Sequence, residues 1–207
     1  DSVAQWVFGL RHIWLDAPFI GLTLLGEYRP MVLWGALVTA ALLWQKNIYA
    51  AGLWAGFTVL GQLLMEAGKR GFAIARPALV AEPPTSLAYP SGHTAMMLIF
   101  VGLLASLLLP SVNARRHSLI LSCVAVPVLF AGAARLYLGV HWLSDIIGGL
   151  LLGALVLALF YQLVLRRPFP RIRPLPLLLA TALAFILNIL LFVLPDMAYW
   201  TARYQPL

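Results

Sequence analysis

Three short groups of ionisable residues stand out because each lies at an end of a long apolar run. Charge at membrane depth is costly, so it usually marks a functional site. In chain order the groups are Lys69 with Arg76-Pro77, Pro90-Ser91-Gly92-His93, and Arg135 with His141 and Asp145. The side-chain types in these groups indicate phosphate chemistry.

Cations and a helix start predict an anion site. Lys69, Arg76 and Arg135 are enough to neutralise a bound phosphate, and planar guanidinium groups match its oxygens. Arg76 lies seven positions after Lys69, which is two helical turns, so the two share a helical face if the helix persists through Gly71. Pro, Ser and Gly before an apolar run predict a helix start, where free N–H groups and the helix dipole favour an anion.

His141 and Asp145 are four residues apart and therefore share a helical face. A carboxylate in that position holds one imidazole nitrogen protonated and leaves the other free to attack. His93, on a different helix, can donate a proton to a departing oxygen. Together these residues form a phosphoryl-transfer site.

Other interpretations of these residues carry less weight. Taken alone, the cations resemble snorkelling residues at helix ends, and the His–Asp pair resembles a structural hydrogen bond. Two His and one Asp are also a plausible zinc ligand set. Three nearby cations argue against a metal ion, so we expect no metal and no cofactor.

The three groups resemble the signatures of a known family. The sequence reads KRGFAIARP at 69–77, PSGH at 90–93 and ARLYLGVHWLSD at 134–145. These segments are similar to the Lys-x6-Arg-Pro, Pro-Ser-Gly-His and Ser-Arg-x5-His-x3-Asp signatures of the type 2 phosphatidic acid phosphatase (PAP2) family. All three signatures occur in order, and the resemblance covers roughly residues 30–164.

The resemblance implies a role for each matching residue. His141 would be the nucleophile that forms a phosphohistidine, Asp145 would orient it, and His93 would be the general acid. The residues implied in phosphate binding are Lys69, Arg76, Ser91, Gly92 and Arg135. The sequence departs from the family at Ala134, where Ser is usual, and in an apolar C-terminal run that the family pattern does not explain.

The elements that position these residues must be membrane helices. Of 207 residues, 62% are hydrophobic and 10% are charged, and the mean hydropathy is +0.92. Since a soluble domain carries about 25% charged residues, this composition excludes an ordinary soluble domain. The net charge of +7 does not indicate nucleic acid, because the basic residues are scattered between apolar runs. The single cysteine, Cys123, lies within such a run and is expected to be buried.

Six apolar runs approach the ~20 residues that a membrane helix needs. They lie at 30–44, 49–67, 94–109, 118–133, 144–164 and 175–194. Residues 1–29 mix aromatic and charged side chains, which is typical of an interfacial helix. We therefore predict an all-α, polytopic membrane helical bundle of about six transmembrane helices. Its parts are an interfacial segment (1–29), a catalytic core (30–165), and a basic loop with an additional C-terminal helix (166–207).

Basic residues indicate the orientation of the bundle. One side receives Lys46, Arg115, Arg116, Arg166, Arg167, Arg171 and Arg173. The other side also receives seven basic residues. Three of them, Lys69, Arg76 and Arg135, are assigned to phosphate binding, which leaves four as orientation signals. By the positive-inside rule the first side is cytoplasmic. We expect a bacterial inner membrane protein whose site and both termini face the periplasm, with an additional membrane segment upstream, as family members commonly have.

These features favour a metal-independent phosphatase for lipid phosphates or diphosphates, with membrane lipids as its surroundings. Candidate substrates are undecaprenyl diphosphate, phosphatidic acid and phosphatidylglycerophosphate, and the sequence does not choose among them. A lipid-diphosphate phosphotransferase is an alternative, because a phosphohistidine can react with water or with an alcohol. A non-catalytic lipid-handling or transport module is another, but the intact His93, His141 and Asp145 argue against it.

Overall fold

The computed structural model describes residues 2–207 as a helical bundle. Its α-helices are α1 (Ser2–Phe8), α2 (Ile13–Leu24), α3 (Tyr28–Trp44), α4 (Ile48–Phe72), α5 (Gly92–Leu108), α6 (His117–Tyr137), α7 (Leu143–Arg166), α8 (Pro174–Asn188) and α9 (Leu194–Arg203). Two 3₁₀ turns, Leu109–Ser111 and Ala114–Arg116, connect α5 to α6, and a π-helical turn at Ile189–Val193 joins α8 to α9. Residues 2–207 contain no strand, which confirms the predicted all-α class.

Five helical segments are long and apolar enough to cross a membrane. They are Ile48–Phe72, Gly92–Ser111, Ala114–Tyr137, Leu143–Arg166 and Pro174–Arg203. The first predicted crossing corresponds to α3, an apolar helix of 17 residues that is shorter than these five. The predicted interfacial segment contains two helices, α1 and α2, in place of one. The C-terminal helix runs beyond its predicted end, because the π-helical turn carries it into α9.

Helix α5 is the centre of the bundle. Of its membrane window, 61% is buried, against 22% to 39% for the other four spans. It packs against α4, α6 and α7, while α3 packs against α4 and α8. Ile99 and Leu103 of α5 belong to the main hydrophobic core together with Trp54 of α4. Cys123 is exposed, so the expectation that it is buried is wrong: its apolar run presents this face of α6 away from the core.

A glycine lets α5 and α7 approach closely. A Cβ on Gly149 would lie 2.7 Å from the carbonyl oxygen of Ser91 and 3.3 Å from the backbone nitrogen of Ala95. Ser91 in turn donates its backbone N–H to the carbonyl oxygen of Asp145 at 2.9 Å. This contact joins the starts of the two helices and therefore sets the relative position of the second and third signatures.

Both described chain ends cover the same end of the bundle. Val80 and Pro206 form an isolated antiparallel bridge, and the Ala81 N–H donates to the Gln205 carbonyl oxygen at 2.9 Å. The C-terminal residues are thereby attached to the loop at 73–91, and α2 packs against both α6 and α9. This is the end at which α4 stops and at which α5 and α7 start.

We expect Gly149→Ala to destabilise the bundle by about 1–3 kcal/mol, because the added methyl group meets backbone atoms that cannot rotate away. The matched control is Gly56→Ala on α4, where no atom lies within 4 Å of the added Cβ. This control should be neutral or stabilising by up to about 1 kcal/mol through helix propensity. Unfolding titrations in mixed micelles measure both, and equal stability of the two variants would contradict the tight α5–α7 contact.

Candidate active site

The ends of α4, α5 and α6, with the loop after α4 and the connection before α7, line a cavity of about 260 Å³. Six of the eight site residues predicted from the sequence line it: Lys69, Arg76, Gly92, His93, Arg135 and His141. The other two, Ser91 and Asp145, are fully buried: Asp145 contacts His141, and Ser91 directly precedes Gly92. The structure therefore brings together in one place all the residues that the three signatures contain.

His141 and Asp145 form the buried centre of the site. Nδ1 of His141 lies 3.1 Å from Oδ2 of Asp145, and both side chains are at most 1% exposed. The same carboxylate oxygen accepts the backbone N–H of Trp142 at 2.8 Å, which fixes it at the start of α7. Gly139, with φ of +67°, turns the chain from α6 towards α7, and a Cβ there would collide with Phe8. Glycine at this turn is thus required to place the pair.

Arg76 determines which nitrogen of His141 is free. Its Nη1 lies 2.9 Å from Nε2 of His141, and since a guanidinium group only donates, Nε2 is the acceptor. The ring proton is therefore on Nδ1 and directed at Asp145. Burial and the charges of Arg135 and Arg76 lower the pKa of His141 well below its usual value, so the ring is neutral. A neutral imidazole on the cavity wall whose Nε2 carries no proton can act as a nucleophile once Arg76 releases that nitrogen.

Lys69 and Arg76 reach the cavity from the two sides of a chain reversal. Helix α4 ends at Phe72, and Ala73 adopts the left-handed conformation with φ of +51°. The helix does not persist to Arg76, so the condition for a shared helical face is not met. Ser86 joins the two cations instead, because its hydroxyl accepts from Arg76 at 2.9 Å and from Lys69 at 3.4 Å. No signature contains Ser86, and sequence reasoning missed it.

Backbone carbonyl groups offset the crowding of positive charge. Lys69 donates to a carbonyl oxygen of the 73–91 loop at 2.7 Å, and Arg76 donates to the carbonyl oxygen of Val140 at 2.7 Å. Burial, followed by the charge of Arg135, lowers the pKa of Arg76 to about 10. Arg76 therefore stays protonated at neutral pH and remains a cation for an anionic ligand.

Arg135 is 1% exposed and is held by residues outside the signatures. Its Nη1 donates to the hydroxyl of Thr23 at 3.1 Å and to the hydroxyl of Tyr204 at 3.3 Å. Ala134, which stands where the family usually has Ser, is fully buried and supplies no hydroxyl. The Nε of Arg135 has no hydrogen-bond partner within residues 2–207. An unsatisfied buried donor in a side chain that lines the cavity is suited to a bound anion.

Ser91 and Gly92 begin α5 and differ in what they contact. The Ser91 hydroxyl accepts a hydrogen bond from Thr94 at 3.1 Å, and its N–H is taken by the Asp145 carbonyl. Gly92 lines the cavity, and the Met65 side chain lies 3.4 Å from where its Cβ would be. Of the two residues, Gly92 is therefore the one on the cavity wall.

Side chains outside the signatures also line the cavity, and Glu27 and Trp200 are two of them. Glu27, in the turn between α2 and α3, places Oε1 3.4 Å from Nε2 of His93. Trp200 of α9 also lines the cavity. Neither belongs to a signature, and both come from segments that the sequence assigned to an interfacial helix and an additional helix. Only the packing of these segments over the site reveals them.

The fold and the site define a polytopic membrane protein with a buried His–Asp pair in a cation-rich cavity at one end of its bundle. Residues 50–169 match the model of the PAP2 superfamily. The chain belongs to this superfamily, which confirms the resemblance found in the three signatures.

Curated relatives of the chain are lipid phosphatases. Undecaprenyl-diphosphatase from Sulfolobus acidocaldarius is 32% identical over 117 residues, which cover 55% of this chain. The match covers 53% of that relative, so the chain spans about half of its length. Phosphatidylglycerophosphatase B from Bacillus subtilis is 27% identical over 167 residues, covering 75% of this chain and 78% of the relative.

Solved structures share the fold. A transmembrane PAP2-type phosphatidylglycerolphosphate phosphatase from Bacillus subtilis superposes with a TM-score of 0.72 at 23% identity, covering 83% of this chain and 86% of that one. Aquifex aeolicus LpxE superposes with a TM-score of 0.60 at 23% identity, covering 78% and 93%. At this identity the two structures confirm the membrane bundle and nothing finer.

Tyr204→Phe should weaken binding of inorganic phosphate about 5-fold, because it removes a hydrogen bond of about 1 kcal/mol from the Arg135 side chain. Tyr161→Phe, at an exposed position on α7, is the matched control and should bind as the wild type does. Calorimetric titration of detergent-solubilised protein with phosphate gives both dissociation constants. An unchanged value for Tyr204→Phe would mean that this hydroxyl does not support Arg135.

Proposed function

We propose that this chain is a lipid-phosphate phosphatase that works through a phosphohistidine intermediate. The observation that carries the proposal is the lone pair of His141 Nε2, which shares a cavity with Lys69, Arg76 and Arg135. A phosphoryl group between them would meet a nucleophile and three positive charges at once. The activities named for the two curated relatives support this function.

In the first step, His141 Nε2 attacks phosphorus and the P–O bond to the lipid breaks. In the free site, Arg76 donates a hydrogen bond to that nitrogen. When the substrate binds, Arg76 must donate this hydrogen bond to a phosphate oxygen instead, so that Nε2 can attack. Asp145 accepts the Nδ1–H and stabilises the positive charge that the ring acquires. His93 gives its proton to the departing oxygen. The products are the phosphoenzyme and the free lipid alcohol, or a lipid monophosphate when the substrate is a diphosphate.

In the second step, a water molecule attacks the phosphohistidine and the N–P bond breaks. His93, now neutral, takes a proton from the water, which restores the acid for the next cycle. The electron pair of the N–P bond returns to Nε2 of His141, and inorganic phosphate is released. The start of α5 at Ser91 and Gly92 contributes the positive end of a helix dipole throughout.

The side chains of the site favour a metal-independent reaction. Lys69, Arg76 and Arg135 line the cavity, and their charges would repel a metal cation there. In the part of the chain that the structure describes, no three His, Cys, Asp or Glu side chains form a metal-binding group. In the proposed reaction, the three cationic side chains therefore neutralise and orient the phosphate.

A second cavity, of about 410 Å³, supports a lipid substrate. It shares Glu27, Tyr28 and Trp200 with the active-site cavity. Phe192 and Tyr199 of the C-terminal helix also line it, so its wall is mainly apolar and aromatic. A headgroup that enters by this route leaves its tails in the bilayer. Phosphatidic acid, phosphatidylglycerophosphate and undecaprenyl diphosphate all meet this requirement.

His141→Asn should lower phosphate release from these lipids by more than about 1,000-fold, because it removes the nucleophile. The matched control is His12→Asn, which changes an exposed histidine at the N-cap of α2 to another good N-cap residue. Phosphate release is measured in detergent with EDTA present, and rapid quenching with labelled substrate traps the intermediate. The wild type and the control should be active in EDTA and give an acid-labile phosphoenzyme. Turnover by His141→Asn, or dependence on an added metal, would contradict the mechanism.

We further propose that the site faces the periplasm of a bacterial inner membrane, since the remaining basic residues favour the opposite side as cytoplasmic. Thr85 lies in the loop beside the site, and Ala114 lies at the other end of the bundle. In a Cys123→Ser background, an impermeant maleimide added to intact cells should label Thr85→Cys and should not label Ala114→Cys. The reverse pattern would place the site in the cytoplasm.

A further inference from the structure

We propose that Glu27 is the counter-ion and positioning residue of His93, and that it favours the charged form of this imidazole for donation to the departing lipid oxygen. The proposal rests on the function proposed above and adds one residue to it. Glu27 lies outside the region 50–169 that matches the family and outside all three signatures.

The turn between α2 and α3 is built around the His93 ring. Oε1 of Glu27 lies 3.4 Å from Nε2 of His93, at ion-pair distance but without the geometry of a hydrogen bond. A Cβ on Gly26 would lie 2.7 Å from Cδ2, the ring atom bonded to that nitrogen. Only glycine therefore lets the turn approach so closely, and two consecutive residues contact the same edge of one imidazole.

A capping role does not explain the position of Glu27. It is the N-cap residue of α3, yet its side chain makes no capping hydrogen bond. The carboxylate is 34% exposed and lines both cavities. Burial alone would raise the pKa of Glu27, but the contact with His93 and two nearby guanidinium groups outweigh burial and lower it to about 2. The side chain is therefore negatively charged at any working pH.

The surroundings of His93 explain why it needs a carboxylate. Arg76 and Arg135 line the same cavity, and their charges oppose a further positive charge on the ring. Asp145 is engaged by His141. Glu66 of α4 lines the cavity as well, but the ion pair of His93 is with Glu27. Glu27 is thus the negative charge that acts on the ring against the two guanidinium groups and favours its charged form.

The ionic contact leaves the proton available. Nε2 of His93 has no hydrogen-bond partner in the described chain, although its side chain is only 14% exposed. A carboxylate that held this N–H in a hydrogen bond would compete with the departing oxygen for it. The Glu27 carboxylate lies 3.4 Å from Nε2 and outside hydrogen-bond geometry. It therefore stabilises the charged ring without accepting the hydrogen bond that the departing oxygen needs.

Dependence on the leaving group distinguishes this role from a structural one. A lipid alkoxide leaves a phosphate monoester only if an acid protonates it, whereas p-nitrophenolate leaves as a stable anion. Loss of the Glu27 charge should therefore slow the hydrolysis of the lipid and spare p-nitrophenyl phosphate. A general loosening of the site would slow both reactions equally.

The test compares kcat for phosphatidic acid and for p-nitrophenyl phosphate in the whole chain, in detergent micelles. Glu27→Gln should lower kcat for phosphatidic acid about 10- to 100-fold and change kcat for p-nitrophenyl phosphate less than about 3-fold. Glu27→Asp, which keeps the charge on a shorter side chain, should recover part of the loss. Glu82→Gln, at an exposed loop position, is the matched control and should behave as the wild type.

A double variant and a nucleophile variant complete the test. Glu27→Gln combined with His93→Asn should be no slower than His93→Asn alone, because Glu27 acts through His93. Equal losses on both substrates, additive losses in the double variant, or an unchanged kcat for phosphatidic acid would overturn the proposal. His141→Asn should lose both activities. If it retained them, or if the wild type hydrolysed neither substrate, the proposed function would fail independently of Glu27.

Discussion

The site depends on holding three positive charges close together in one small cavity. Lys69, Arg76 and Arg135 repel one another there, because Coulomb energies rise as solvent is excluded. Carbonyl oxygens of the 73–91 loop and of Val140, together with side-chain hydroxyl groups, accept their N–H groups. These neutral acceptors hold the cations in place without cancelling their charge. The three cations therefore remain available for the phosphate group that the proposed function places there.

The helices and the connecting segments contribute differently to this arrangement. Close packing of α5 on α7, through Gly149, sets the distance between the helix starts that carry His93 and His141. The loop at 73–91 brings Arg76 to the same point. The two chain ends then cover the cavity with α2, α9 and the C-terminal residues. The site is consequently completed by segments on both sides of the region that matches the family.

Local patterns were sufficient to predict much of the fold and most of the site. Continuous apolar runs and few charges required membrane helices, because an unpaired backbone is too costly in lipid. Features without a local signal were missed. The π-helical turn at Ile189–Val193 lengthens the last helix, and Ala73 ends α4 in a left-handed conformation that alanine rarely adopts. Both depend on tertiary packing more than on the residues at those positions.

The identity and spacing of residues established the class of protein and the residues of its three signatures, because each signature spans a helix end and the short connection beside it, so its members stay close in sequence. The three-dimensional fold was needed to find Thr23, Glu27, Ser86 and Tyr204. Thr23, Glu27 and Tyr204 are distant in sequence from the signatures, Ser86 lies in the loop between two of them, and no spacing rule connects any of the four to the site. The protonation of His141 is likewise a tertiary property, since it follows from a guanidinium group that a loop places against Nε2.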